Sequence, residues 1–172
     1  MRQSTRRFLK WALYALLLFV FYILQSTPLF LSIQGIKPAL IIPYLLAVAM
    51  FEGELAGCIY GIAGGFLWDI ASGRLPGFSS LVLMILCIAA ALMVMYLLRA
   101  NLVNAMVFCG ISVLLYFLLD YLFCYVMWGL DPARNVLLGR LLPVAGYTLV
   151  MMIPIYYFVR GLSRKLNENP RI

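Results

Sequence analysis

Histidine is absent from this 172-residue sequence, and only six residues are acidic. The four cysteines, Cys58, Cys87, Cys109 and Cys124, sit inside apolar runs and none forms a CxxC pair. Zinc and haem therefore have no ligand set, and no metal or cofactor is expected. Disulfides are not expected in hydrocarbon-embedded segments, so the thiols read as small, soft packing groups. P-loop, GxSxG and metal motifs are missing too, and general acid–base work needs two groups facing one substrate. These absences argue against an enzyme. Charge of either sign is scarce: 11% of residues are charged and 66% are hydrophobic, whereas soluble domains carry roughly 25% charged residues. Such a chain cannot cover a water-facing surface. It reads as an all-α integral membrane protein of one domain, residues 1–172, with no linker, internal repeat or low-complexity segment.

What charge there is lies mainly at the ends. Arg2, Arg6, Arg7 and Lys10 precede the first apolar run, and Arg160, Arg164, Lys165 and Arg171 follow the last. Next to membrane spans, basic tails are cytoplasmic anchors drawn to anionic lipid rather than nucleic-acid arms. The uncharged stretch from Trp11 to Gly35 outruns the roughly 7–15 residues of a signal h-region and ends in no small-x-small cleavage site. It is expected to be a retained first span.

Six spans are expected in one bundle, at about 11–27, 38–51, 55–70, 81–98, 104–128 and 141–159. Trp11, Tyr14 and Tyr22 mark interface depth in the first. Residues 29–35 form an apolar connector, and the polar loop at Asp131, Pro132, Arg134 and Asn135 separates the last two spans. Pro38 suits the first turn of the second span, whereas Pro43 falls inside it and removes a backbone bond. Spans two and three are short, and a re-entrant hairpin is the alternative for them. Pro143 and Pro154 are kink candidates in the sixth. An even count keeps both tails on the same, cytoplasmic side of a plasma membrane. That side then holds nine Lys/Arg (four at each end plus Arg99) and the outer loops hold four: Lys37, Arg74, Arg134 and Arg140.

One stretch has a pattern of its own. Glycines fall at 57, 61 and 65, an acid at 69, and glycines again at 73 and 77. Residues four apart stack along one helix face, so Gly57, Gly61 and Gly65 make a groove without side chains. In lipid, helices associate by close fit, and small residues permit it. The groove's occupant is either another span of this chain or a partner protein. Asp69 closes the ladder at the membrane boundary. An acid at a helix C-terminus opposes the macrodipole, so capping is rejected as its role in favour of a tertiary or partner contact, for instance with Arg74. Gly73 and Gly77, with Ser72 and Pro76, shape a turn. Glu52 and Glu54 flank Gly53 in an acidic turn and read as solvated charges or as a contact to a basic partner. Asp120 is the acid well inside a span, a functional candidate by default. A proton relay would need companions that are missing, so pairing with Arg99, Arg140 or another polar group is favoured.

The run Gly57, Gly61, Gly65, Phe66, Asp69, Ser72, Gly73, Gly77 and Leu81, preceded by Glu52, resembles the rod shape-determining MreD family over residues 42–81. The resemblance implies a non-catalytic member of the cell-elongation machinery of rod-shaped bacteria. Its implied partners are MreC, the glycosyltransferase RodA, the class B penicillin-binding transpeptidase and, through them, MreB filaments. It also implies a six-helix fold like that of the substrate-binding subunits of energy-coupling-factor vitamin transporters. Such a transporter subunit is the competing function, favoured by short Pro-broken spans and Asp120. A lipid-modifying or proton-coupled carrier relying on Asp120 is a third possibility. In the scaffold case the glycine face packs on a partner span, so Gly61→Leu or Gly65→Leu should break co-purification.

Overall fold

Apolar runs bounded by glycine, proline and charge become six helices among the described residues. In the computed structural model these are α1 (Gln3–Ser26), α2 (Ile41–Glu52), α3 (Glu54–Ser72), α4 (Phe78–Tyr96), α5 (Leu102–Tyr121) and α6 (Leu142–Leu166). The structure describes residues 3–27, 38–73, 77–97, 101–123 and 142–166, and among them there is no strand. The connector 29–35, the far end of the fifth expected span with Trp128, the loop 131–135, Cys124, Lys37, Arg74, Arg99, Arg134 and Arg140 lie outside the described residues. Among the described residues five helices, all but α2, are long and apolar enough to cross a membrane.

The short helix is the centre of the bundle. α2 has 12 residues, about 18 Å at 1.5 Å per residue, against roughly 30 Å of hydrocarbon. Every residue from Ile41 to Phe51 is buried, and α1, α3, α4, α5 and α6 all pack against it. A helix that is apolar all round belongs inside protein. Its lipid-facing work is done by the five longer helices, whose outer faces carry exposed apolar side chains such as Leu16, Phe19, Ile59, Phe66, Ile111 and Leu118.

The prolines of this segment take other roles than those expected of them. The helix starts at Ile41, so Pro43 falls in its first turn, where a backbone N–H has no helical acceptor to lose. Pro38 lies before the helix. The N–H groups at this end are met from other helices. Gln25 Oε1 accepts from the Ile41 N–H at 3.1 Å, and Thr148 Oγ1 accepts from the Ala39 N–H at 3.0 Å. In α6, Pro143 is also a first-turn residue and Pro154 lies within the helix.

Helix direction follows from these contacts. Gln25, near the end of α1, meets the start of α2, while Lys10, near the beginning of α1, meets Glu52 at the end of α2. Ser163, near the end of α6, also reaches Glu52. The first turns of α1 and the last turns of α6 therefore share one end of the bundle. Asp69 and Ser79, at the α3–α4 junction, and Tyr116 of α5 lie at the other.

Candidate functional site

The glycine ladder is filled from within the chain. A Cβ placed on Gly65 would lie 2.3 Å from Ser80 Cα, and one on Gly61 would lie 2.9 Å from Met84 Cα. On Gly57 it would meet Ala49 Cβ at 2.9 Å and the Cys87 carbonyl oxygen at 3.3 Å. Backbone atoms of α4 thus occupy the groove at all three positions, with α2 closing it at Gly57. No side chain fits at contacts under 3 Å to backbone, so glycine is what lets the two helix axes approach. The added residue Gly64 faces α2 instead, where a Cβ would meet Leu45 Cδ1 at 2.7 Å. α3 is therefore glycine-lined towards two neighbours.

Asp69 explains the second half of the pattern. It makes a tertiary contact, as expected of it, but not with Arg74: it caps the start of the next helix, α4. Its Oδ2 accepts from the Gly77 N–H at 2.8 Å and its Oδ1 from the Ser79 N–H at 3.2 Å. Anions favour helix N-termini, where the first N–H groups lack intrahelical acceptors. The carboxylate is 1% exposed, so these bonds replace water. Reaching back across the turn demands a tight corner. Gly73 adopts φ +62° and Gly77 φ +103°, in the left-handed region that other residues resist. The Gly73 N–H bonds to the carbonyls of Asp69 and Ile70, closing α3, and Ser72 Oγ donates to the Trp68 carbonyl at 2.6 Å. Asp69, Ser72, Gly73 and Gly77 are one helix-stop, turn and helix-start device.

Glu52 is likewise corrected from a solvated turn charge to a buried junction. Its side chain is 4% exposed and pairs with Lys10, itself 12% exposed. Tyr14 Oη donates to Oε1 at 2.8 Å, and Ser163 Oγ donates to the same oxygen at 3.2 Å. Residues from α1 and α6 thus converge on the end of α2. Lys10 and Tyr14 are one helical turn apart and present one face. Tyr14 is fully buried and is no marker of interface depth. Tyr60 of α3 joins by donating to the Trp11 carbonyl at 2.8 Å, its ring stacked on that of Trp11 with centroids 6.0 Å apart. Gly53, at φ +94°, makes the turn from α2 to α3, and Glu54 is exposed in the first turn of α3. Sequence reasoning missed this junction. Its one signal was an acid ending a wholly apolar helix, where the macrodipole disfavours it and a cation must compensate.

A model of the rod shape-determining protein MreD matches residues 5–166. The chain belongs to the MreD family. Membership gives it a role in rod shape determination as a multi-pass membrane protein, in a family not known for enzymes. No curated protein and no solved structure matched the chain. The matched span takes in Glu52, the ladder, Asp69 and the α3–α4 corner, so in this MreD-family chain the motif positions build joints between helices.

Asp120 stands apart from those joints along the sequence but not in depth. It is 5% exposed near the end of α5, one turn beyond Tyr116, whose hydroxyl shares a hydrogen bond of 2.8 Å with Ser79 Oγ. The partners expected for it, Arg99 and Arg140, lie outside the described residues. Cys87 and Cys109 are buried and Cys58 half-buried, all as free thiols. No group of three or more metal-ligating side chains is assembled among the described residues.

Proposed function

We propose that this MreD-family chain is a non-catalytic membrane scaffold of the cell-elongation complex, joining MreC, RodA and the class B transpeptidase in the cytoplasmic membrane and, through them, MreB filaments. The observation that carries this is where the motif chemistry is spent. Glu52, Asp69 and the glycines each hold one helix of the chain to another, which makes a pre-organised body with apolar outer faces. A partner span then has to dock on those outer faces, because α4 fills the groove first offered to it. Both termini are read as cytoplasmic: the start of α1 and the end of α6 share one end of the bundle, and the basic clusters flank them. The likeness to energy-coupling-factor substrate-binding subunits belongs to this proposal for the fold alone, supported by a short central helix wrapped by five longer ones.

Affinity purification of the tagged chain in mild detergent tests the proposal. MreC, RodA or the transpeptidase should be retained, and depletion should turn rods into spheres. Rods that persist on depletion, with none of these partners recovered, would refute it. Gly65→Leu is no interface probe, since it removes the chain's own α3–α4 contact. Tryptophan at exposed Ile59, Ile62 or Phe66 probes the outer face instead.

A further inference from the structure

The end of the bundle that holds Glu52 carries more positive charge than its own acids neutralise. Glu52 is spent on Lys10, and no ion pair between described residues takes in Arg160, Arg164 or Lys165 of α6. The sequence beyond does not supply the missing charge. Residues 160–172 hold four basic side chains, Arg160, Arg164, Lys165 and Arg171, and one acid, Glu168. Arg160 is the first charge after the apolar run of α6 and is half-buried. Its Nε is enclosed and has no hydrogen-bond partner among the described residues. Packing holds this guanidinium rather than a carboxylate, and a partly desolvated cation gains from an anion brought to it.

The helix places these cations around an opening. Arg160 and Arg164 are one turn apart, and the fields of both reach the Tyr156 hydroxyl, so their charges sit near one point. Gly161, between them in sequence, is exposed, and a Cβ added there would meet nothing within 4 Å. Arg164 and Lys165, both exposed, follow Gly161 within about one turn. One turn before Gly161 stands Tyr157, with Phe158 beside it, both exposed. Tyrosine is enriched at headgroup depth, and the phenylalanine continues the apolar outer face. Whatever meets these arginines is therefore anionic at one end and lies against apolar surface at the other. An acidic peptide from the aqueous side has the first property alone, and an anionic lipid has both.

We propose that Arg160 and Arg164 hold the phosphate of one anionic lipid at Gly161, with its acyl chains along Tyr157 and Phe158. This is more than the diffuse pull of a basic tail. Guanidinium forks take phosphate oxygens in pairs, and the bare Gly161 lets a headgroup come down to the helix. Native mass spectrometry of the chain in detergent tests it. Dioleoylphosphatidylglycerol is titrated in one series and dioleoylphosphatidylcholine, whose choline offsets its phosphate, in another. Phosphatidylglycerol should bind at least about 10-fold tighter, since each basic residue near an anionic lipid surface contributes about 5-fold. Inorganic phosphate at equal concentration should not displace it. Arg160→Gln and Arg164→Gln should each cut the preference by about 5-fold. Gly161→Leu leaves the charge unchanged, its Cβ meets nothing within 4 Å, and leucine suits a helix better than glycine, so the fold persists while the preference falls. Arg6→Gln combined with Arg7→Gln, which takes charge from α1 instead, should leave the preference as it is. Equal binding of the two lipids overturns the proposal. So does displacement by phosphate, a preference unchanged in Gly161→Leu, or an equal loss in the α1 variant.

Discussion

Replacing Asp69 tests whether one buried carboxylate joins α3 to α4. Leucine at this position removes the acceptor for two backbone donors, the N–H groups of Gly77 and Ser79. Asp69 is 1% exposed and Ser79 is 0% exposed, so water does not take over at the Ser79 N–H, whereas Gly77 is exposed and its N–H can turn to water. A hydrogen bond to a charged group contributes about 1.5–3 kcal/mol, and a stranded buried donor costs about 1–3 kcal/mol. One stranded donor and the loss of two bonds to a charged group, one of them replaceable by water, put Asp69→Leu at about 2–4 kcal/mol, a large part of the roughly 5–15 kcal/mol that holds a domain folded. Asn keeps one carbonyl oxygen and serves one donor, so Asp69→Asn should cost about 1–2 kcal/mol, as for a weakened N-cap. Titrating purified protein in mixed micelles with dodecyl sulfate, followed by far-ultraviolet circular dichroism, gives the order wild type, Asp69→Asn, Asp69→Leu. If Asp69→Leu unfolds within about 0.5 kcal/mol of wild type, the usual scatter for inert substitutions, the carboxylate does not hold α4.

The same titration serves the other predictions. Gly65→Ala sets its Cβ 2.3 Å from Ser80 Cα and should cost at least the top of the overpacking range of about 1–3 kcal/mol, whereas Gly64→Ala, 2.7 Å from the movable tip of Leu45, should cost under about 1.5 kcal/mol. Equal costs would mean that α4 backbone does not fill the groove. Gly73→Ala meets nothing within 4 Å but sits at φ +62°, so it should cost about 1–2 kcal/mol from strain alone; Gly73→Asn, which tolerates that region better, should recover part of it. Lys10→Met strands the buried charge of Glu52 and should cost about 3–5 kcal/mol. Adding Glu52→Gln should recover much of that loss in a double-mutant cycle, and additive losses would show that the two side chains do not meet.

Much of the architecture was legible in one dimension. Runs of uncharged apolar residues mark the helices because lipid tolerates no unpaired backbone group, which leaves a hydrogen-bonded helix as the means of crossing. Breaks at Gly53 and at Gly73–Gly77 were readable because positive φ selects glycine. The ladder at 57, 61 and 65 was readable because four-residue spacing is a property of a single helix. The roles of the acids were not. Asp69 looked wrong for a cap because the macrodipole of its own helix opposes it, yet the next helix begins nine residues on and points its N–H groups back. Glu52 looked solvated because it flanks a turn, yet α1 and α6 close over it. Pro43 looked disruptive only because the helix start was placed three residues too early.

By itself, then, the sequence determined a membrane-embedded helical chain, the corner between α3 and α4, and the family to which both belong. Those properties follow from hydropathy and local backbone preference, which act between neighbours. Only the tertiary structure decided that α4 occupies the glycine face, that Asp69 caps α4, and that Glu52 binds Lys10, Tyr14 and Ser163, partners 42, 38 and 111 residues away. Periodicity tells which side of a helix is shaped for contact, but it carries no record of which surface arrives there. That depends on how the helices share the burial of one another's faces.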